Sequence, residues 1–237
     1  LSHPNLTEEV KTAMTTQQSP LTIAIPKGRL AKSCAAFLEA SGLAIPVADD
    51  DRLLIVENEH GTFRHIFCKP TDVPTLVEYG AADMGICGID KLRESECNVF
   101  EPLLLPYEHC RLSVCGLADQ PHPQLRYMTQ PRVATTYTNM AAKFFRDRGV
   151  NAEVIKMHGS VEIAPKLGLA DLIVDIVSTG TTLRVNGLVE IRTILESQAV
   201  VIVNPASYRV KSTVVQDALE RMRNALAQIE QEAMGHA

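Results

Sequence analysis

The sequence predicts an α/β protein built as two lobes, the first of them discontinuous, and three observations carry that prediction. From Leu21 onward, short apolar runs alternate with stretches of helical period, as strands do when crossover helices join them into a largely parallel sheet. A local plan of cap, helix, glycine and strand at residues 71–87 returns eighty-eight positions later. The C-terminal segment then carries an apolar stripe that must find a core.

Taken in order, residues 21–25 are the first strand. The turn Pro26-Lys27-Gly28-Arg29 follows, and Leu30, Cys34, Phe37 and Leu38 then recur at helical spacing up to Gly42, a natural helix stop. Strand signals lie at 52–56 and 63–69. Thr71 is the expected N-cap of the next helix, with Pro74 in its first turn and Gly80 at its end, and a strand follows at 83–87. In the second copy Ser160 caps, Val161 stands for Val73, Gly168 for Gly80 and Ala170-Asp171 for Ala82-Asp83, before a strand at 172–174. Residues 133–145 echo 23–37 in the same manner, with Asn139 as the simplest N-cap of their helix.

Val214, Val215, Ala218, Leu219, Met222, Ala225, Leu226 and Ile229 share one face of the final helix, which follows a strand at 199–203. This segment is expected to return to the first lobe. Lobe one then comprises residues 21–108 and 198–237, and lobe two residues 109–197, with crossovers near 104–114 and 194–203 and a ligand cleft between the lobes. Residues 1–20 are polar, lack a period and are read as a flexible N-terminal segment. A single continuous sheet is the alternative arrangement.

Composition excludes several classes of function. A chain of 237 residues can bury a core without disulfides or structural metal, and 46% hydrophobic with 22% charged residues is globular rather than disordered. A formal charge of -5 gives no basic field for tracking nucleic acid or an anionic membrane, so an anionic ligand has to be held by local devices. The longest apolar runs are strand-sized, and neither a membrane span nor a signal peptide is read. The six cysteines contain no C-x-x-C pair, and they are expected to be reduced thiols in the cytoplasm.

The stretch at residues 171–183 carries the most chemistry. An apolar strand reaches Asp175, and Ser178-Thr179-Gly180-Thr181-Thr182 then opens a helix. Successive N–H groups in such a turn form an anion nest, glycine permits the backbone angles required, and hydroxyls add donors without charge. This reads as a cradle for a phosphomonoester, with Asp175 placed to accept hydrogen bonds from paired ribose hydroxyls. Neither G-x-x-x-x-G-K-[ST] nor G-x-G-x-x-G is present, so the turn is not a Walker loop and a dinucleotide site has no support. At the carboxyl end of the first strand, Lys27 and Arg29 are candidates for holding polyphosphate, with Arg52 and Lys69 from neighbouring strand ends. Glu162 falls in a first helical turn, where the macrodipole favours a carboxylate in any case.

Residues 21–30, 80–90, 159–165 and 171–188 resemble the signatures of ATP phosphoribosyltransferases, in their short form. The resemblance runs from about Leu21 to the C-terminal helix. It implies a periplasmic-binding-protein-like fold with an inter-lobe active-site cleft. It also implies Mg2+-dependent transfer of phosphoribosyl from phosphoribosyl pyrophosphate to N1 of the adenine of ATP, the first step of histidine biosynthesis. Ser178, Thr179, Gly180, Thr181 and Thr182 would hold the ribose 5-phosphate and Asp175 the ribose hydroxyls, with Glu162 as a further substrate contact. Lys27, Arg29 and Arg52 would meet pyrophosphate or triphosphate oxygens, Arg29 and Arg52 as the catalytic cations. Metal ligands are unknown, and Mg2+ is expected mainly through substrate phosphates. A homodimer and a hetero-oligomer with a histidyl-tRNA-synthetase-like regulatory subunit are the partners implied. The competing readings are a salvage transferase acting on a free nucleobase and a solute-binding module that closes without reacting.

Overall fold

A computed structural model describes residues 19–45, 53–120 and 125–235 of the chain. Its first elements are β1 (Leu21–Pro26), α1 (Ala31–Ala40), β2 (Ile55–Glu57), β3 (Phe63–Cys68), α2 (Val73–Glu78), β4 (Met84–Gly88) and α3 (Ile89–Ser95). A long strand β5 (Phe100–Leu117) leads to β6 (Arg132–Thr135), α4 (Thr138–Arg146), β7 (Glu153–Lys156), β8 (Leu172–Val177) and α5 (Thr181–Val185). A second long strand, β9 (Leu188–Val203), precedes α6 (Pro205–Val210) and α7 (Ser212–Gly235). Among the described residues the strands form one sheet in the order β2-β3-β1-β4-β9-β5-β8-β6-β7.

That sheet has two halves built on one plan. In the first, β1 lies between β3 and β4, parallel to both; in the second, β6 lies between β7 and β8, again parallel to both. All six residues of β1 are buried, Thr22 among them, because helices cover both faces. Ile23 and Ile25 pack with Phe37 of α1 and Leu219 and Met222 of α7, while Ala24 faces Val73 and Val77 of α2 and Leu92 of α3. The apolar stripe of the last helix therefore docks on the first half. In the second half, Val133 packs under Ala141 and Phe145 of α4, and Ala134 and Ile173 face Val161 and Leu183.

The expected crossovers are the middle of one two-stranded ribbon. β5 and β9 pair from Phe100↔Val203 to Leu117↔Leu188, with a register shift between Leu105 and Cys110 where Glu108 adopts φ +57°. Lobes and continuous sheet are thus not alternatives: separate cores hang on one hydrogen-bonded ribbon. Along it β4 and β8 run toward each other, for Gly88 opposes Ala199 and Val177 opposes Arg111. Both carboxyl ends face the irregular middle, and a cleft forms there.

Three local expectations change. Asp72, not Thr71, is the N-cap of α2, and Thr71 spends its hydroxyl on the Asp72 carboxylate. Asn139 lies inside α4, whose first amides are capped from another helix, as described below. Strand β2 begins at Ile55 rather than 52; Arg52 and residues 1–18 lie outside the described residues.

Candidate active site

The cleft holds a cavity of about 300 Å³, lined among others by Arg29, Asp90, Lys91, Glu108, Tyr137 and Ile176. Each half sends its strand ends into it. From β1 comes the turn of Lys27 to Arg29, tied to the end of β3 by Lys27 N–H to Cys68 C=O at 2.8 Å and closed by Ala31 N–H to Gly28 C=O at 3.1 Å, with Gly28 at φ +88° permitting the reversal. The Arg29 guanidinium pairs with Glu108 from the irregular part of β5 and is largely exposed to the cleft.

Beyond β4, Gly88 caps α3 and puts Asp90 in the first turn. A Cβ at Gly88 would collide with the Asp90 carboxylate, so glycine is required there. Asp90 is buried and fully engaged: Oδ1 accepts from Ser197 Oγ at 2.9 Å and Oδ2 from the Tyr137 hydroxyl at 2.7 Å. Burial first, and the Asp90 charge second, push the Tyr137 phenol well above its usual range, so it stays a donor. Lys91 Nζ donates to Tyr137 Oη at 2.5 Å. A second contact across the halves lies just beyond. The Glu94 carboxylate accepts Asn139 N–H and Met140 N–H, both at 3.0 Å, and so caps α4 from α3.

In the second half, Asp175 stands near the end of β8, one residue before the lining residue Ile176, its Oδ1 accepting Ile176 N–H at 2.8 Å. Burial raises its pKa, the Glu162 carboxylate raises it further, and Ile176 N–H and the Lys91 charge work the other way. Glu162 is therefore in electrostatic reach of Asp175. It sits in a single 3-10 turn, Val161–Ile163, rather than a full helix.

The hydroxyl turn follows. Ser178, Thr179, Thr181 and Thr182 are exposed, and Gly180, at φ +72°, is the N-cap of α5. Thr179 Oγ1 and Thr181 Oγ1 lie 3.0 Å apart. Two guanidinium groups brace the turn from behind: Arg184 reaches Thr179 C=O at 3.3 Å and Thr181 Oγ1 at 3.1 Å, and Arg111 reaches Ser178 C=O at 3.3 Å. Arg111 is itself oriented by Glu190, whose carboxyl the guanidinium hydrogen bonds hold down at about 2.

The structure thus brings Arg29 into the cleft cavity, whereas Asp175, Glu162 and the hydroxyl turn stand outside its lining, Asp175 preceding the lining residue Ile176. Lys27 belongs to the same turn as Arg29 but does not line the cavity. Sequence reasoning missed Asp90, Lys91, Glu108 and Ser197. Asp90 closes the 80–90 motif and stands in a first helical turn after a strand end, which was the one signal available for it. Among the described residues no group of three His, Cys, Asp or Glu side chains could hold a metal ion, and no helix is long and apolar enough to cross a membrane.

A cleft between paired strand ends, with Arg29 and Lys91 in its lining, defines a two-lobed α/β protein that binds its ligand between the halves. The family model described as ATP phosphoribosyltransferase (HisG) matches residues 69–224. An ATP phosphoribosyltransferase of Sorangium cellulosum is 47% identical over 88% of this chain and 97% of its own length. A solved ATP phosphoribosyl transferase (HisG:HisZ) complex from Thermotoga maritima aligns with 34% identity and a TM-score of 0.79, covering 88% of this chain and 99% of that one. A substrate binding protein of an amino acid ABC transporter shares the fold alone, at 15% identity and a TM-score of 0.54, over 90% of this chain and 94% of its own. The chain belongs to the ATP phosphoribosyltransferase family, pentosyltransferases of the first step of histidine biosynthesis.

Proposed function

We propose that the chain transfers the phosphoribosyl group of phosphoribosyl pyrophosphate to N1 of the adenine of ATP, releasing pyrophosphate. The observation that carries this is the order of groups in the second half: Asp175 at a strand end, Ile176 facing the cavity that Arg29 also lines, then an exposed hydroxyl turn on Gly180. Ser178 to Thr182 take the ribose 5-phosphate, Asp175 the ribose hydroxyls with Glu162 beside it, and Lys27 and Arg29 the diphosphate. Arg52 shares that charge.

Adenine N1 attacks with a lone pair and has no proton to lose first, so no Ser-His-Asp or paired-acid machinery is called for. What needs stabilising is a sugar carbon turning cationic and a diphosphate departing. Fixed cations aimed at the diphosphate, and a cradle that holds the sugar in line, supply this.

Mg2+ fits the residues present as a substrate-borne ion. Glu162 and Asp175 offer hard oxygens but no complete ligand set, so most of its coordination would come from substrate phosphates. When bound it offsets diphosphate charge.

The reading extends to the two lobes, 21–108 with 198–237 and 109–197, as bodies that close on the substrates. It extends also to the short family form: a homodimer that joins a histidyl-tRNA-synthetase-like regulatory subunit in the cytoplasm. That the solved Thermotoga maritima protein is a HisG:HisZ complex supports the hetero-oligomer.

Pyrophosphate release compared between ATP, adenine, hypoxanthine and orotate tests the substrate. Only ATP should support it, with the ultraviolet absorbance of an N1-substituted adenine appearing in step. Arg29→Ala should lower turnover on the order of 10²-fold. Unchanged turnover and Michaelis constants in that variant would remove Arg29 from the mechanism.

A further inference from the structure

Lys91 has no role in the scheme above, yet it occupies the middle of the cleft. It follows Asp90 in the first turn of α3, and its side chain, 26% exposed, lines the cavity beside Arg29 and Ile176. Nζ stands 2.5 Å from Tyr137 Oη, 3.6 Å from Asp90 Oδ2 and 4.1 Å from the Tyr137 ring centroid.

The network does not consume the ammonium. Asp90 is already satisfied by the Ser197 and Tyr137 hydroxyls, and the Tyr137 proton goes to Asp90. Among the described residues Tyr137 Oη is the one hydrogen-bond acceptor of Lys91, which has three N–H donors. Lys91 shares the cavity lining with Arg29, from the turn assigned to the diphosphate, and with Ile176, the residue after the acid assigned to the ribose; its charge is also felt at Asp175. The cavity offers few other cations: Arg29 is paired with Glu108.

We propose that Lys91 is a substrate-contacting cation of the transfer reaction, donating to the diphosphate of phosphoribosyl pyrophosphate on its ribose side. This rests on the placement of phosphoribosyl pyrophosphate given above. In the step, the N1 lone pair forms the N1–C1 bond, the bond from C1 to the diphosphate oxygen breaks, and its electron pair leaves with the diphosphate. The positive charge of the sugar carbon ends on the adenine ring. Lys91 moves no proton; it remains an ammonium and its hydrogen bonds tighten as the oxygen gains charge. The Tyr137 ring and hydroxyl hold it pointed across the cleft until substrate arrives.

The test uses the full chain and three variants, Lys91→Met, Lys91→Gln and Lys91→Arg. Turnover, both Michaelis constants and the binding of magnesium pyrophosphate by calorimetry are measured, with the thermal midpoint as a folding check. Lys91→Met and Lys91→Gln should lower turnover about 10²-fold and weaken pyrophosphate binding at least about tenfold, with KM for ATP moving far less. Lys91→Arg should recover most of both. Pyrophosphate binding and turnover unchanged in the folded neutral variants would reduce Lys91 to an anchor for Tyr137 and overturn the proposal. Wild-type chain that forms no N1-substituted adenine would instead sink the underlying reading, so the two failures are told apart. Should Lys91→Met not fold, Lys91→Gln decides.

Discussion

Asp83 in the first half and Asp171 in the second make the same contact in different surroundings. Each accepts a backbone N–H from the start of the adjacent strand, Thr22 at 2.9 Å and Arg132 at 2.8 Å, and each returns its own N–H to that residue's carbonyl at 2.9 Å. Around Asp171 the only further partner among the described residues is the Arg132 side chain, and the carboxylate is exposed. Asp83 is buried, because α6 and the residue before α7 close over it with Ser207 Oγ at 2.6 Å and Lys211 Nζ at 2.8 Å. The C-terminal segment turned one copy of a strand clamp into an internal ion pair and left the other in water.

The divergence continues through each equivalent strand. His65 lies beside Ile23 where Val154 lies beside Val133, and Gly85 beside Ala24 where Ile173 lies beside Ala134. Gly85 lets α2 approach: a Cβ there would come 2.8 Å from Val73 Cγ1 and 2.9 Å from Val77 Cγ2. A 3-10 turn replaces α2 in the second half and leaves room for isoleucine. Beyond the strands, the first half fills its helix start with its own Asp90, whereas the second keeps an exposed hydroxyl turn. One helix start is filled by a carboxylate of its own chain segment, the other is left open.

The sharpest way to break this comparison is to remove both acids. Asp83→Ala leaves the Lys211 ammonium without its carboxylate in a largely buried place and should cost about 3–5 kcal/mol by chemical denaturation. Asp171→Ala should cost about 1 kcal/mol or less. Equal losses would mean that burial does not separate the two sites.

The next largest effect is in the pH dependence. Burial holds His65 neutral down to about 4, against 6.5 for a free imidazole, and Nε2 gives its proton to Leu43 C=O at 3.0 Å. The unfolded chain binds a proton that the folded chain refuses, so stability is full above pH about 6.5. It declines by at most about 3 kcal/mol as pH falls toward 4. His65→Val, which copies Val154, should flatten that part of the stability profile.

Gly85→Ala should destabilise by about 1–3 kcal/mol through overpacking against α2, seen as a lower thermal midpoint. The smallest effect concerns the joint between halves. Glu94→Ala uncaps α4 and should cost about 1 kcal/mol, read as faster hydrogen exchange at the Asn139 and Met140 amides with α1 unchanged.

Much of this was legible without coordinates. The strands at β1, β3, β4 and β8, the helix stops at Gly42 and Gly80, and the return of α7 to the first half all follow from periodicity and glycine chemistry within short windows. The strand end at Asp175 and the turn that opens α5 a few residues later were legible in the same way. Thr71 and Asn139 fail as caps for different reasons: α2 takes its N-cap one residue later, at Asp72, without a side-chain capping bond, and Glu94, forty-five residues from Asn139, takes the first amides of α4.

By itself the sequence determined what is local: which segments are strands, where a glycine turn rich in hydroxyls follows a strand, and that one plan is used twice. Only the tertiary structure decided that the two copies point at each other, because their direction depends on the pairing of β5 with β9 and on where its register breaks. It decided also that Asp90 meets Ser197 107 positions away and Tyr137 47 positions away. Such contacts form through chain closure over long separations, and no short window of residues encodes them.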